Sequence, residues 1–230
     1  MRKLKRLAII PARSGSKRIK NKNIKKFFSK PIIFYSINNA INSKIFDKIH
    51  ISTNSKKISK IAENYGCKVD FLRPQSKSRD NVPLIEVLKF VIEEYNKKKE
   101  FFDEIWLIYP CAPLTTKNDL IKAKKKFSLT KKDYPLMSFR EYDAPIEWAF
   151  KQKGRKFIAN NVNKLTIDSK KITKNYYDSA SFVIYKNNHI FKKKAFSKYY
   201  SYIMPKNRSI DIDDHQDWKI AEALFKKIKY

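Results

Sequence analysis

The stretch Ile10-Pro11-Ala12-Arg13-Ser14-Gly15-Ser16-Lys17-Arg18-Ile19-Lys20-Asn21-Lys22-Asn23 gathers the groups that a polyphosphate requires. Gly15 lets a backbone turn closely around phosphate oxygens, Ser16 offers a hydroxyl, and Arg13, Lys17 and Lys22 supply positive charge. Neither a GxxxxGK[ST] loop nor a GxGxxG fingerprint is present. Basic residues alone would read as a solvated loop. The order strand, proline, small residue, Arg13, Gly15, Ser16, Lys17, in a chain with only three glycines, favours phosphate. Near the other end, Asp211 and Asp213 stand two apart on an expected strand and so share one face. Paired carboxylates suit a Mg²⁺ ion that also holds phosphate oxygens, and Mn²⁺ accepts the same oxygen-rich site. Asp214 and Asp217 have another explanation, as the N-cap and N3 residues of a closing helix.

Positioning these groups requires a frame, and the hydrophobic pattern describes one. Leu7 to Pro11 is an apolar run suited to a buried parallel strand. Pro31 opens a helical stripe of Ile33, Ile37, Ala40 and Ile41. Lys48 to Thr53 reads as a strand. Asn54 or Ser55 caps a helix through Ile58, Ile61, Ala62 and Tyr65, which Gly66 ends. Val69 to Leu72 reads as a short strand that leads to Arg73-Pro74. Pro83 to Lys97 reads as a helix with Leu84, Leu88, Val91, Ile92 and Tyr95 inward, and Glu104 to Tyr109 as a nearly all-apolar strand. A helix from Asn118 or Asp119 to about Phe127 and a strand from Leu136 to Phe139 complete an alternation that implies a doubly wound, mostly parallel α/β sheet. Its ligands are expected at the carboxyl ends of the strands, where Arg73 would also lie.

After Glu141 the rhythm breaks, and residues from about 141 to 180 read as an inserted antiparallel arm in one domain spanning 1–230. Strands at Phe182–Tyr185 and Ser209–Ile212, a short helix from His189 to about Lys194, and a last helix from Asp214 to Lys227 close the pattern. That last helix carries Trp218, Ala221, Leu224, Phe225 and Ile228 at helical spacing.

Composition narrows the class. At 230 residues, with 42% hydrophobic and 14% aromatic residues, the chain can bury a sizeable core. No run approaches the roughly 18 apolar residues of a membrane span. The basic start Met1-Arg2-Lys3-Leu4-Lys5-Arg6 is followed by too short an apolar run for a secretory signal, so a cytoplasmic protein is expected. The net charge of +30 invites a nucleic-acid partner. Nine of the 52 basic residues are arginine and the lysines are spread along nearly the whole chain, which reads as a solvated surface with no specific nucleic acid. Cys67 and Cys111 match no zinc or CxxC spacing and read as buried reduced thiols. His50, His189 and His215 form no ligand pattern, the last two reading as surface groups.

Residues 10–23 resemble the N-terminal signature of the sugar-acid cytidylyltransferases, which include CMP-N-acetylneuraminic acid synthetases and pseudaminic acid cytidylyltransferases. That signature looks like Pro-Ala-Arg-x-Gly-Ser-Lys-Arg/Gly followed by Lys-Asn, here Lys22-Asn23. Further resemblances follow in family order. They are Lys30-Pro31-Ile32-Ile33, Ile51-Ser52-Thr53-Asn54, Phe71-Leu72-Arg73-Pro74, Ala112-Pro113-Leu114, and Asp211-Ile212-Asp213 with Asp217-Trp218. The resemblance implies a Rossmann-like sheet of the nucleotide-diphospho-sugar transferase type and an EC 2.7.7.- nucleotidyltransferase. Its partners would be CTP and a nine-carbon sugar acid, joined with release of pyrophosphate.

Carried over, Ala12, Arg13, Ser16, Lys17, Lys22, Asn23 and Arg73 would bind the nucleotide, with Arg13, Ser16, Lys17 and Lys22 on the CTP phosphates, Asn23 and Arg73 helping to hold the ribose and cytosine, and Arg13, Lys17 and Lys22 catalytic; Asp211 and Asp213 would hold the metal. Ala144-Pro145-Ile146 with Ala149, and Tyr176-Tyr177-Asp178-Ser179-Ala180-Ser181-Phe182, resemble the acceptor side of the pseudaminic acid enzymes. Tyr177, Asp178 and Ser181 would there meet the sugar. Departures fall on this side: Tyr177 stands for a histidine, Ala180-Ser181 for Gly-Gln, Ile167-Asp168-Ser169 for Thr-Arg-Ser, and Asn81-Val82-Pro83-Leu84 for a hydroxyl-rich stretch. Pseudaminic, N-acetylneuraminic, legionaminic and 3-deoxy-octulosonic acids stay open as acceptors, as does a lapsed relative that binds nucleotide only. The arm resembles a dimerisation region, implying a homodimer.

Overall fold

The first strand alternates between two cores. In the computed structural model, which describes residues 3–193 and 195–229, β1 (Arg6–Pro11) sends Leu7 and Ile9 to one face of a sheet and Ala8 and Ile10 to the other, all fully buried. The chain then forms the two-residue strands β2 (Lys26–Phe27) and β3 (Lys30–Pro31), which pair antiparallel, and α1 (Ile33–Ser43). There follow β4 (Lys48–Ser52), α2 (Lys56–Asn64), α3 (Leu84–Lys97), β5 (Glu104–Ile108), α4 (Lys117–Ser128) and β6 (Leu136–Glu141). A hairpin of β7 (Phe150–Lys153) and β8 (Lys156–Ala159) leads to β9 (Tyr176–Lys186), α5 (Asn187–Ile190), β10 (Tyr200–Ile203) and α6 (His215–Lys229).

Six strands form the main sheet in the order β10-β6-β9-β5-β1-β4. β1 pairs parallel with β4 and β5, and β10 with β6, whereas β9 runs antiparallel to both β5 and β6. α1, α2 and α4 cover one face around Trp106 and Phe182, and α3 and α5 cover the other around Leu107 and Tyr95. Helices on both faces of a mostly parallel sheet are the doubly wound arrangement that the sequence pattern implies. A third cluster, with Ile19, Phe27, Ile32, Ile212, Trp218 and Phe225, fastens α6 to the segments on either side of the basic loop. No helix among the described residues is long and apolar enough to cross a membrane.

The structure corrects several expectations. Val69–Leu72 joins no ladder: Phe71, at a bend, stacks on buried His50, and Arg73 N bonds to Thr53 O (2.7 Å), just beyond β4. Ser209–Ile212 is no strand either. β10, which the hydrophobic pattern did not single out, already occupies the free edge of β6. α4 starts at Lys117, ahead of both Asn118 and Asp119, because Thr116 caps it and Asp119 completes a capping box. Ile41, Leu84 and Ile228, placed inward by helical spacing, are exposed. His189 is buried, its Nδ1 accepting Lys186 N (3.2 Å) at the start of α5. Lys194, the expected end of that helix, lies outside the described residues, as do Met1 and Arg2 of the basic start.

The start of α6 follows the expected capping logic. Asp214 Oδ1 accepts Gln216 N (2.8 Å) and Asp217 N (2.9 Å), while Asp217 Oδ2 accepts Asp213 N (2.9 Å) and Asp214 N (3.1 Å). Asp214→Ala is therefore expected to cost about 1 kcal/mol of stability, read as a lower Tm.

Candidate active site

β1 delivers the basic loop to the carboxyl edge of the sheet, where the strand order changes direction. Ala12 stays with the sheet, buried, its N donating to Ser52 O (2.9 Å). Beyond it, the loop is held by side-chain amides. Asn54 Oδ1 accepts Ser14 N (3.2 Å), and Asn54 Nδ2 donates to Gln75 Oε1 (2.9 Å). Buried Asn23 donates to Arg13 O (2.9 Å) and accepts the Cys111 thiol (3.3 Å). Asn21, in a left-handed conformation (φ 54°), starts the turn that carries Lys22. Gly15 adopts no left-handed φ, and a Cβ there would meet no atom within 4 Å, so the loop's own packing does not demand glycine.

A cavity of about 580 Å³ opens at this edge. Arg13, Ser16, Lys17, Lys22 and Asn23 line it from the loop. Arg73 and Asp80 line it from the segment before α3, Tyr109 and Cys111 from the end of β5, and Asp211 and Asp213 from the segment before α6. The two ends of the sequence thus meet across one space. Arg73 is only 5% exposed, and its Nε donates to Ser78 Oγ (3.0 Å). Burial, reinforced by the Arg13 charge, pushes its pKa down to about 10. Among the described residues no carboxylate pairs with it, so the cavity holds a desolvated cation short of an anionic partner.

Arg79, exposed at the cavity wall, also lacks an ion-pair partner among the described residues, whereas the cations of the loop have internal anions. Asp80 binds both Arg13 and Lys17 Nζ (2.7 Å), and the Lys17 hydrogen bond leads the effects that hold its carboxyl below the usual range. Lys22 Nζ donates to Ile212 O (2.6 Å) and reaches Asp213 (3.5 Å), which also pairs with Arg18 (2.9 Å). Asp211 has no such partner among the described residues. Burial first, then the Asp213 charge, raises its pKa. Although no ladder holds this segment, both carboxylates line the cavity while Ile212 between them is fully buried.

Asp211 and Asp213 are hard oxygen donors whose mutual repulsion a divalent cation would relieve, so these residues fit the expected metal. Among the described residues no three His, Cys, Asp or Glu side chains converge on a metal position. Further ligands would therefore be phosphate oxygens and water.

The acceptor-side residues divide. Asp178 Oδ2 accepts the Tyr109 hydroxyl (3.3 Å) and Oδ1 accepts Ala180 N (2.9 Å), while burial raises its pKa. Ala180, in a left-handed conformation (φ 49°), lines the cavity. Tyr177 is not among the lining residues; its ring packs on Tyr142 (4.8 Å between centroids) beneath Arg140. Ser181 is buried in the sheet, its Oγ 3.2 Å from Ser179 Oγ. Of the three, only Asp178 touches the cavity wall, through Tyr109. Sequence reasoning missed Asp80 and Tyr109. Asp80 is a single acid among Lys77, Ser78 and Arg79, a local contrast that could have marked it. Cys111 carries a thiol pushed up to about 12 by burial, which leaves it protonated and a poor nucleophile at neutral pH.

A protein-family model described as "Cytidylyltransferase" matches residues 7–229. The chain is 34% identical to a pseudaminic acid cytidylyltransferase of Campylobacter jejuni, over 97% of both chains. It is 31% identical to an N-acylneuraminate cytidylyltransferase of Escherichia coli, over 96% of this chain and 52% of that one. Among solved structures, a CMP:2-keto-3-deoxy-manno-octonic acid synthetase complexed with CTP superposes with a TM-score of 0.72 at 12% identity, covering 97% of this chain and 99% of that one. At that identity the likeness bears on the fold alone.

The electrostatics of Asp211 have a measurable sign. A carboxyl whose pKa is higher folded than unfolded disfavours the native state above both values, and the penalty fades as pH falls through the folded value. Asp211→Asn is therefore expected to raise the Tm of the ligand-free protein at neutral pH, by an amount that shrinks on acidification. A Tm lowered at neutral pH would contradict this reading.

Proposed function

The chain belongs to the cytidylyltransferase family, and from that premise we propose that it transfers CMP from CTP to the anomeric hydroxyl of a nine-carbon 2-keto sugar acid, releasing pyrophosphate. Pseudaminic acid, as the relative at 34% identity is named for, is the first acceptor to test, followed by N-acetylneuraminic acid. The observation that carries the proposal is the convergence of Arg13, Lys17, Lys22 and Arg73 with Asp211 and Asp213 on one cavity at the carboxyl edge of the sheet.

In the proposed reaction the sugar's hydroxyl oxygen forms a bond to the α-phosphorus and gives up its proton to solvent water. The bond from that phosphorus to the bridging oxygen breaks, and the pyrophosphate takes the electron pair. Arg13 and Lys17 exchange Asp80 for phosphate oxygens and offset the charge that builds on the leaving group. Lys22, held by Ile212 O, lies between the phosphates and the carboxylate pair. Arg73 supplies its unpaired guanidinium to the nucleotide. Asp211 and Asp213 would hold Mg²⁺, which when bound neutralises phosphate charge and orients the oxygens. Positioning and electrostatics of this kind suffice for phosphoryl-type transfer without a covalent enzyme intermediate.

The β7–β8 hairpin exposes Phe150, Phe157 (66%) and Ile158. We assign this face to a second copy of the chain, whose arm would close the acceptor side.

Pyrophosphate release in CTP, Mg²⁺ and a panel of sugar acids tests the proposal. Wild-type protein should release pyrophosphate only with an acceptor present, and Arg13→Ala or Lys17→Ala should lower kcat/KM by about 100-fold with little change in Tm. CTP binding without turnover on any acceptor would leave a nucleotide-binding relative. A nucleic acid bound tightly at physiological salt, with no effect of CTP on Tm, would overturn the enzyme reading.

A further inference from the structure

The carboxylate pair lies on a segment with no ladder of its own. From Met204 to Asp213 the backbone belongs to no strand, yet Asp211 and Asp213 reach the cavity. At its start, Met204 N bonds Phe139 O (2.8 Å), and at its end Lys22 and the α6 cap hold Ile212 O and Asp213 N. Between these points the segment is tied by arginines. Arg208 extends both guanidinium nitrogens to the Asp119 carboxylate, Nη2 to Oδ1 at 2.9 Å and Nη1 to Oδ2. Arg140 Nη1 donates to Ser209 O (3.0 Å), the next residue.

Asp119 is only 2% exposed and is used three times over. It closes the capping box with Thr116, accepts the Tyr202 hydroxyl from β10 (2.9 Å), and takes the Arg208 fork. Capping α4 requires only the first of these. Burying a charged pair is expensive and is weakly explained by stability alone, whereas a planar, bidentate fork fixes direction as well as distance. Arg208 lies three residues before Asp211. A loose fork would free residues 208–211, and so the setting of Asp211 relative to Asp213, which the α6 cap still holds, without unfolding the sheet.

We propose that Asp119 and Arg208 are positioning residues for the Asp211–Asp213 pair, fixing the two carboxylates in the orientation that binds a divalent cation. The proposal rests on the metal assignment made above. It gives the α4 N-terminus, outside the lining of the cavity, a part in cation affinity. Outer groups that orient first ligands commonly change metal affinity by 10- to 100-fold when removed.

The test is a Mn²⁺ titration of the ligand-free protein, with free Mn²⁺ read by electron paramagnetic resonance, beside Tm and the Mg²⁺ dependence of turnover. Wild-type protein should bind Mn²⁺, and Asp211→Asn should abolish binding. If either fails, the metal assignment fails, independently of the present proposal. Given both, Asp119→Asn and Arg208→Lys should each weaken Mn²⁺ binding by about tenfold and raise the Mg²⁺ needed for half-maximal turnover, with folded circular dichroism at the assay temperature. Arg208→Lys keeps the charge and loses the fork, so it answers the question if Asp119→Asn does not fold. Thr116→Val breaks the capping box on the same carboxylate and should lower Tm while leaving Mn²⁺ affinity unchanged. Equal Mn²⁺ affinity in wild type and Arg208→Lys, or a loss in Thr116→Val as large as in Arg208→Lys, would overturn the proposal.

Discussion

Cations assembled for a polyphosphate repel one another until the polyphosphate arrives, and the arrangement of this cavity follows from that constraint. Asp80 stands between Arg13 and Lys17, and Asp213 between Lys22 and Arg18. These are solvent-accessible pairs, each worth little, so an anion carrying several charges can replace them at small cost. Arg73 is the buried exception, desolvated and without an internal carboxylate, and exposed Arg79 beside it is likewise unpaired among the described residues. Asp211 carries the opposite sign: exposed at the cavity and without a cation partner among the described residues, it has its pKa raised by desolvation and by Asp213. The cavity thus holds unmatched charge of both signs. The proposed ligands, a triphosphate and a divalent cation, are complementary to both.

The sheet makes this charge distribution possible by topology. Parallel strands β1, β4 and β5 all point their carboxyl ends at the cavity, so the basic loop, Asn54 and Tyr109 arrive together. Reversal of β9 brings the opposite end of a strand to the same edge, and with it Asp178 and Ala180. α6 then locks the arrangement, because Trp218 and Phe225 pack on Phe27 while Ile212 is buried beneath the carboxylate pair. Side-chain tethers do the rest: Asn23 on Arg13 O, Lys22 on Ile212 O, and Arg208 on Asp119.

Much of this is legible in the sequence where local chemistry and burial agree. Leu7 to Pro11 can be read because a strand buried on both faces has to be apolar throughout, and Asp214 with Asp217 because a capping box is local. The meeting of residues 13–23 with 211–213 was reached through a family resemblance; no periodicity in either segment contains it. Ser209–Ile212 misleads because alternation reports that a segment is extended, not whether a neighbouring edge is free. β10 holds that edge with a sequence, Tyr200-Ser201-Tyr202-Ile203, too mixed to stand out. Asp80 and Arg208 were missed for a shared reason. Each acts through a partner more than 60 residues away, which no local spacing reports; Asp80 has only its contrast with basic neighbours to mark it, and Arg208 not even that. The acceptor side is the least legible, since Tyr177 and Ser181 share a motif with Asp178 but point elsewhere.

In the reaction proposed for this chain, the sugar's anomeric oxygen attacks the α-phosphorus of a nucleotide held at this cavity. The most direct measurement follows that oxygen. A sugar acid labelled with ¹⁸O at the anomeric hydroxyl would be turned over with CTP and Mg²⁺, and the products examined by mass spectrometry. The label is expected to stay in the CMP-sugar, in the oxygen that bridges carbon and phosphorus, with none in pyrophosphate. Label in pyrophosphate, or a CMP-sugar that has lost it, would place the attack at another phosphorus or break the wrong bond, and would contradict the mechanism.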